Sequence, residues 1–529
     1  MENHNRPNFR FANADTRVPP HVTSGVLQFQ PFQPRENTLQ NPSNFAFGRE
    51  FTFELDSISS GIAPKFKPPP IKDPELDLLQ VEGSCGANGL DSTLQHSIRN
   101  AVLLTGEAEK VSPGQFPQRA VVGSISSQHA DGFPKSPSNP KLYLNVNTPF
   151  SALICGVQGS GKSHSASVIL EGCLVVDRRI GTLPKPLAGL CLHYDRGSVN
   201  YPCESAYLGL PATRAQLGAK SSASVPVTVL VSPTCLETMR RIYKPLKGVN
   251  VMPFYLSTSN LNSSRMLTLM GFDDSVIMPL YLQRAMTILR SMGADGFNYD
   301  AFKKRMMKEP LNPAQKNSYK MRIDMLDSYL TGNKSSDVSS YFKPGHLVIV
   351  DLRDPFTNSS LVIALFEILV GLFVEARMET GKVLLLDEAH KYLNSDPCSA
   401  RFTDSMTSLI RQQRHFGIRT IISTQEPTVV PDAVLDLVSF LFLHRFSSPT
   451  WVKHLSKHIS VDQDREPDSD WSHTISRLAL GEAVVVAPTA LSIKSGALSS
   501  SPLATGFLII RTRKRLTFDG GASIVAYRS

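Results

Sequence analysis

Residues Gly156-Val157-Gln158-Gly159-Ser160-Gly161-Lys162-Ser163 have the form G-x-x-x-x-G-K-[ST]. Glycines at 156, 159 and 161 let a backbone turn tightly enough to aim successive N–H groups inward at an anion. In such a loop the lysine ammonium reaches the β- and γ-phosphates of a nucleotide, and the serine hydroxyl ligates Mg²⁺. The chemistry requires a strand before the loop and a helix after it. Ser151-Ala-Leu-Ile-Cys155 reads as a short buried strand, and Ser163–Leu170 as the start of a helix whose N-terminus adds partial positive charge. The expectation is ATP cradled by residues 156–163 and His164, with Mg²⁺ on Ser163.

A second set of residues supplies the other half of that chemistry. Val383-Leu-Leu-Leu-Asp387-Glu388 is a buried strand ending in two carboxylates. Asp387 at the carboxyl edge of a sheet can hold Mg²⁺ through water, and Glu388 can orient or deprotonate an attacking water. Thr424-Gln425 ends the next apolar run, where Gln425 could hydrogen-bond the γ-phosphate or that water. Arg411 and Arg414 stand before that run, and Arg445 follows the run 438–443. An arginine brought from a neighbouring subunit stabilises transition-state charge, whereas on a solvated face it does no chemistry. The string Asp387-Glu-Ala-His390 invites a helicase of the Asp-Glu-Ala-His type. About 225 residues between loop and box, and the absence of a matching arginine-rich motif, speak against it.

Taken in order, these pieces resemble the HerA/FtsK-type P-loop ATPases, hexameric DNA-pumping motors with conjugation and packaging relatives. The matching segments are Gly156–Ser163, Leu347–Leu352, Leu384–Leu393, Ile410–Gly417 and Ile421–Gln425, then Leu480–Val484 and Ile510–Arg513. The resemblance covers about residues 145–525. It implies a RecA-like core whose ATP sites lie between the subunits of a ring, with double-stranded DNA as the substrate moved. It maps water activation onto Glu388, phosphate sensing onto Gln425 and the intersubunit arginine onto Arg411 or Arg414. His415 departs from the family's more frequent lysine, the region after Lys162 is long, and no N-terminal barrel is recognisable. The composition of the N-terminal tail is more eukaryotic than bacterial and suggests a fungal branch.

The elements that must position these groups read as α/β. Continuous Val/Ile/Leu runs separated by helical segments mark a mainly parallel sheet covered by helices on both faces. Besides those above, the runs are Leu187–His193, Val225–Val231, Val249–Leu256, Gly345–Leu352, Glu482–Val486 and Phe507–Arg511. The expected division is a Pro/Asn/Ser-rich, mostly disordered tail at 1–140, core at 141–235, a mainly helical insertion at 236–340 and core again at 341–529. Phe51–Leu55 and Ser97–Leu104 are short apolar pieces of the tail that could dock on the core. A Ser-rich stretch at 492–505 reads as a flexible loop.

Charge divides along the same line: 13 Lys/Arg against 14 Asp/Glu in residues 1–150 leaves 42 against 32 for residues 151–529. A basic folded part suits an anionic partner such as nucleic acid. Cysteines at 85, 155, 173, 191, 203, 235 and 398 form no Cys-x-x-Cys pair, which argues against a zinc or disulfide framework and for a reducing compartment, cytoplasmic or nuclear. There is no signal-peptide core, and the most apolar stretch, Leu361–Val374, is too short to span a bilayer. The leading reading is a Mg²⁺-dependent, ring-forming ATPase that moves or remodels DNA. The alternatives are an ATP-gated scaffold without nucleic acid, and the two-lobed helicase.

Overall fold

The computed structural model describes residues 99–521 apart from 112–113, 115, 130–133, 196–199, 272–277, 294–295, 332–336, 395–396, 460–470 and 494–499. All belong to one compact unit, Glu75–Ser529. In chain order the first strands are β1 (Leu103–Thr105), β2 (Arg119–His129), β3 (Lys141–Asn145), β4 (Ser151–Cys155), β5 (Gly181–Thr182) and β6 (Ala188–His193). Next come β7 (Val227–Val231), β8 (Val249–Pro253), β9 (Leu256–Ser257), β10 (Leu330–Thr331), β11 (Leu347–Asp351) and β12 (Lys382–Asp387). The last are β13 (Ile418–Thr424), β14 (Phe440–His444), β15 (Glu482–Val486), β16 (Leu491–Ile493), β17 (Ser500–Pro502) and β18 (Phe507–Thr512).

One large sheet runs in the order β17-β16-β1-β3-β2-β18-β15-β14-β4-β13-β12-β6-β11-β7-β8, with β5 on β2. From β14 to β8 every neighbouring pair is parallel. The inner strands, from β14 to β7, are buried along their whole length because both faces are covered, whereas the edge strand β8 is half-exposed. Leu190 and Val350 pack on one face with the helices Ser263–Met270 and Ser359–Glu375, while Cys191 and Ile349 pack on the other with the helix Lys162–Leu174. The helix Ser359–Glu375 is buried almost throughout, as its apolar sequence demands. Among the described residues no helix is long and apolar enough to cross a membrane.

The phosphate-loop strand β4 and the acid strand β12 are separated by one strand, β13. That order defines a RecA-like P-loop core. Parallel pairing sets Thr424 opposite Cys155 and Asp387 opposite His193, so the ends of β4, β13, β12 and β6 share one carboxyl edge.

Three expectations change. The boundary at residue 140 lies too late, since β1, the helix Gly106–Val111 and the eleven-residue β2 precede it and pair into the sheet. Residues 1–98, including Phe51–Leu55, lie outside the described residues. The insertion begins later than 236, because β8 is the last strand of the main sheet and the helices that cover it run from Ser263 to Asp327. The Ser-rich stretch 492–505 carries β16 and β17, which pair antiparallel around residues 494–499. Among the described residues there is one large sheet and one two-stranded pair, β9 with β10, which leaves no second ATPase lobe for a helicase of the Asp-Glu-Ala-His type.

Candidate functional site, a phosphate loop facing two acids

The loop leaves β4 at Gly156, whose φ is 153°, and a Cβ there would fall 2.7 Å from both the His444 Cβ and the Ser160 Oγ. Only glycine lets the loop lie this close to β14. Gly161 has φ 113° and turns the chain into the helix Lys162–Leu174. The loop is tied at its rim by Val157 N–H donating to the Arg445 carbonyl at 3.2 Å. Inside it, Ser160 Oγ and Lys162 Nζ both donate to the Val157 carbonyl, at 2.7 and 3.1 Å. Val157, Gln158 and Gly159 are exposed, while Ser163 and His164 are half-buried at the start of the helix.

His444, fully buried at the end of β14, is the floor of the loop. Its Nδ1–H donates to the Glu482 carbonyl at 2.9 Å, so Nε2 accepts from the Ser165 hydroxyl at 3.0 Å. Burial, with the Lys162 and His164 charges close by, pushes its pKa down to about 4, and the ring is neutral.

Across the carboxyl edge, Glu388 follows β12 with φ 52° and ψ 43°, a left-handed conformation that glycine favours and glutamate does not. The turn is held by the Tyr392 hydroxyl donating to the Asp387 carbonyl at 2.7 Å and to the Leu192 carbonyl at 3.2 Å. It delivers the Glu388 carboxylate to Gln425, whose Nε2 donates to Oε1 at 2.6 Å. Burial, and then the neighbouring Asp387 charge, raise the Glu388 pKa above the usual carboxylate value. A carboxylate raised in this way is a better proton acceptor. His390 Nδ1 stands 3.5 Å from Glu388 Oε2, and burial first, then Lys391, holds it neutral with a pKa of about 4.

Asp387 receives His193 Nδ1 at 2.9 Å, from the neighbouring strand end. Lys162 is buried, which lowers its pKa, and both Glu388 and Asp387 act on it in the opposite sense. Lys162 thus stands within reach of the charges of both carboxylates at this carboxyl edge. The donor types fit a Mg²⁺ ion with nucleotide: a half-buried serine hydroxyl and a carboxylate oriented by His193, both oxygen ligands.

Arg411 ends the helix Pro397–Arg411 and Arg414 lies in the helical turn Gln413–Phe416, both exposed. They precede β13, so its length of about 20 Å separates them from Gln425 and this chain's own loop. The structure does not bring them to the pocket. Arg445, exposed and joined to the loop through its carbonyl, stands at the correct edge.

The loop opens into a cavity of ≈ 700 Å³ lined by Gly159, Lys162, Ser163, His164 and Glu204, and by residues between Arg511 and Gly521 that include Lys514, Arg515 and Asp519. The chain's last described segment makes this wall. His164 binds the Asp519 carboxylate at 2.7 Å and the Arg513 carbonyl at 2.9 Å, and this hydrogen bond holds the Asp519 pKa down at about 2. Glu171, fully buried in the same helix, receives Arg513 Nη1 at 2.7 Å and the Thr517 N–H at 2.8 Å. Sequence reasoning missed His444, His193 and this wall. The histidines had one visible signal, a polar residue closing an apolar run: His193 after Leu187–Leu192 and His444 after Phe440–Leu443.

Fold and site together define a RecA-like P-loop domain with paired acids. No protein-family model matches the chain, and no curated protein does. Among solved structures, VirB4 of Thermoanaerobacter pseudethanolicus is 12% identical, with TM-score 0.40 over 74% of this chain and 96% of that one. The bacterial conjugative coupling protein TrwB is 11% identical, with TM-score 0.39 over 80% and 96%. B204, the DNA-packaging ATPase of Sulfolobus turreted icosahedral virus, is 15% identical, with TM-score 0.22 over 49% and 91%. Likeness at this level leaves function to the geometry of the site itself.

Proposed function

We propose that the chain is a Mg²⁺-dependent ATPase of the motor type, hydrolysing ATP to ADP and phosphate. The carrying observation is the Gln425–Glu388 hydrogen bond of 2.6 Å, made at the same sheet edge as the phosphate loop. Lys162 and the loop amides grip the β- and γ-phosphates, which places the γ end toward Glu388 and the nucleoside in the cavity walled by His164 and the C-terminal segment. Gln425 fixes the Glu388 carboxylate, which takes the proton of the attacking water. Ser163 and, through water, Asp387 would hold Mg²⁺, which would supply charge neutralisation for the phosphates.

Arg411 and Arg414, remote from their own loop, are proposed to serve the site of the next subunit in a homo-oligomeric ring, and Arg445 to act within its own. The proposed polymer is double-stranded DNA, supported by 42 Lys/Arg against 32 Asp/Glu in residues 151–529. Phosphate release measured with and without duplex DNA at rising salt tests this. Stimulation that fades with salt is expected. Hydrolysis indifferent to DNA would instead favour an ATP-gated scaffold.

A further inference from the structure

Away from the phosphate loop, two short helices bring together side chains that the ATPase reading does not use. Asp432 and Asp436 belong to the turn Asp432–Leu435 and its cap, and His454 and His458 to the helix Pro449–Ser456 and the residues just after it. Each pair is spaced i,i+4, which puts both members on one helical face. His458 Nδ1 lies 2.6 Å from Asp436 Oδ1. A carboxylate can only accept there, so Nδ1 carries a proton, and in the neutral ring that a metal ion requires the lone pair sits on Nε2. That Nε2 is buried, makes no hydrogen bond and faces Asp432 Oδ1 at 3.4 Å, in a side chain only 6% exposed. His454 Nδ1 lies 3.7 Å from the same oxygen.

We propose that Asp432, His454 and His458 form a site for a single divalent transition-metal ion of the zinc class. Bonds of about 2.1 Å to nitrogen and oxygen in a tetrahedron put ligand atoms roughly 3.4 Å apart; the two separations from Asp432 are 3.4 and 3.7 Å, and all three ligand atoms lie within 4.8 Å of one another. Two imidazoles with one carboxylate select zinc, cobalt or nickel over Mg²⁺ and Ca²⁺. Asp436 supplies the outer carboxylate that orients a liganding histidine. Asp432 is 58% exposed, so the fourth position opens to water. The ion staples the segment that follows Gln425 to the helix that follows Arg445, bracing two connections of the ATP pocket from outside. The proposal does not depend on the ATPase reading.

The full-length protein, stripped with chelator and titrated with Co²⁺ and Zn²⁺, tests it by visible absorption, calorimetry and thermal melting. One ion per chain is expected, with a tetrahedral cobalt spectrum lacking thiolate bands and a raised Tm. His458→Ala and Asp432→Asn should each abolish this, and Asp436→Asn should weaken binding about 10- to 100-fold. Failure of the wild type to bind overturns the proposal, as does binding undiminished in Asp432→Asn. Cobalt with thiolate bands that vanish in Cys203→Ser also overturns it, because that ion would sit in the buried His193–Cys203–Asp387 cluster.

Discussion

The two halves of the sheet are built by different rules. From β14 to β8 all strands are parallel and, except for the edge strand β8, buried on both faces by covering helices. From β15 to β17 the pairing is antiparallel except for β1 with β16, and the strands come from opposite ends of the chain. The parallel half carries Asp387, Glu388, Gln425 and the phosphate loop at its carboxyl edge. The antiparallel half reaches the loop through the end of β18, the residues just before β15 and the segment after β18, which Glu171 and His164 clamp onto the phosphate-loop helix. Chemistry belongs to the first half, and closure of the pocket to the second.

Cutting the clamp should separate the halves most strongly. Glu171→Ala leaves Arg513 without its buried carboxylate and should cost about 4 kcal/mol, read as a lower urea midpoint with early loss of protection in residues 511–521. Undiminished stability would mean that the C-terminal wall is not held through the helix. Next, Lys162→Ala removes a charge-assisted contact from the parallel half. It should weaken ATP binding roughly 100-fold while leaving the melting curve of the antiparallel half unmoved.

His444, between the halves, gives a pH signature. Its pKa is near 4 folded against an ordinary 6.5 unfolded. The unfolded chain therefore binds a proton that the folded chain refuses between those values. Its share of stability is complete above pH 6.5 and is lost as pH falls toward 4, about 3 kcal/mol in all. His390, only part-buried, adds to the same limb. In His444→Gln, denaturation followed across this window should show a flatter slope. The smallest effect is backbone relief: Glu388→Gly should raise stability by about 1 kcal/mol and eliminate turnover, as measured by melting and phosphate release.

The contrast also explains what the sequence disclosed. Val383–Leu386 is an unbroken apolar run because both faces of β12 are buried, and a run of that kind is readable without knowing its neighbours; β13 is buried throughout as well, although Arg419 and Thr420 interrupt its isoleucines. The glycines of the loop and the residues ending each strand could be placed by local spacing alone. β2 was not readable in this way. Arg119–His129 alternates irregularly between buried and exposed, shifts register against β3 and β18, and sits in a stretch rich in serine and proline. His164 and Asp519 meet across 355 positions, and Ser165 meets Thr512 across 347. No local period encodes such pairs, because they arise only when the sheet brings both chain ends together. Arg411 and Arg414 were readable as a motif, but only the direction of β13 showed that they lie at the far edge.

The most direct test of the account is hydrolysis by Glu388→Gln set beside its affinity for ATP. Tight nucleotide binding with phosphate release reduced about 10²- to 10⁴-fold is the predicted outcome. Release at the wild-type rate would show that another group activates water and would contradict the assignment of the pocket.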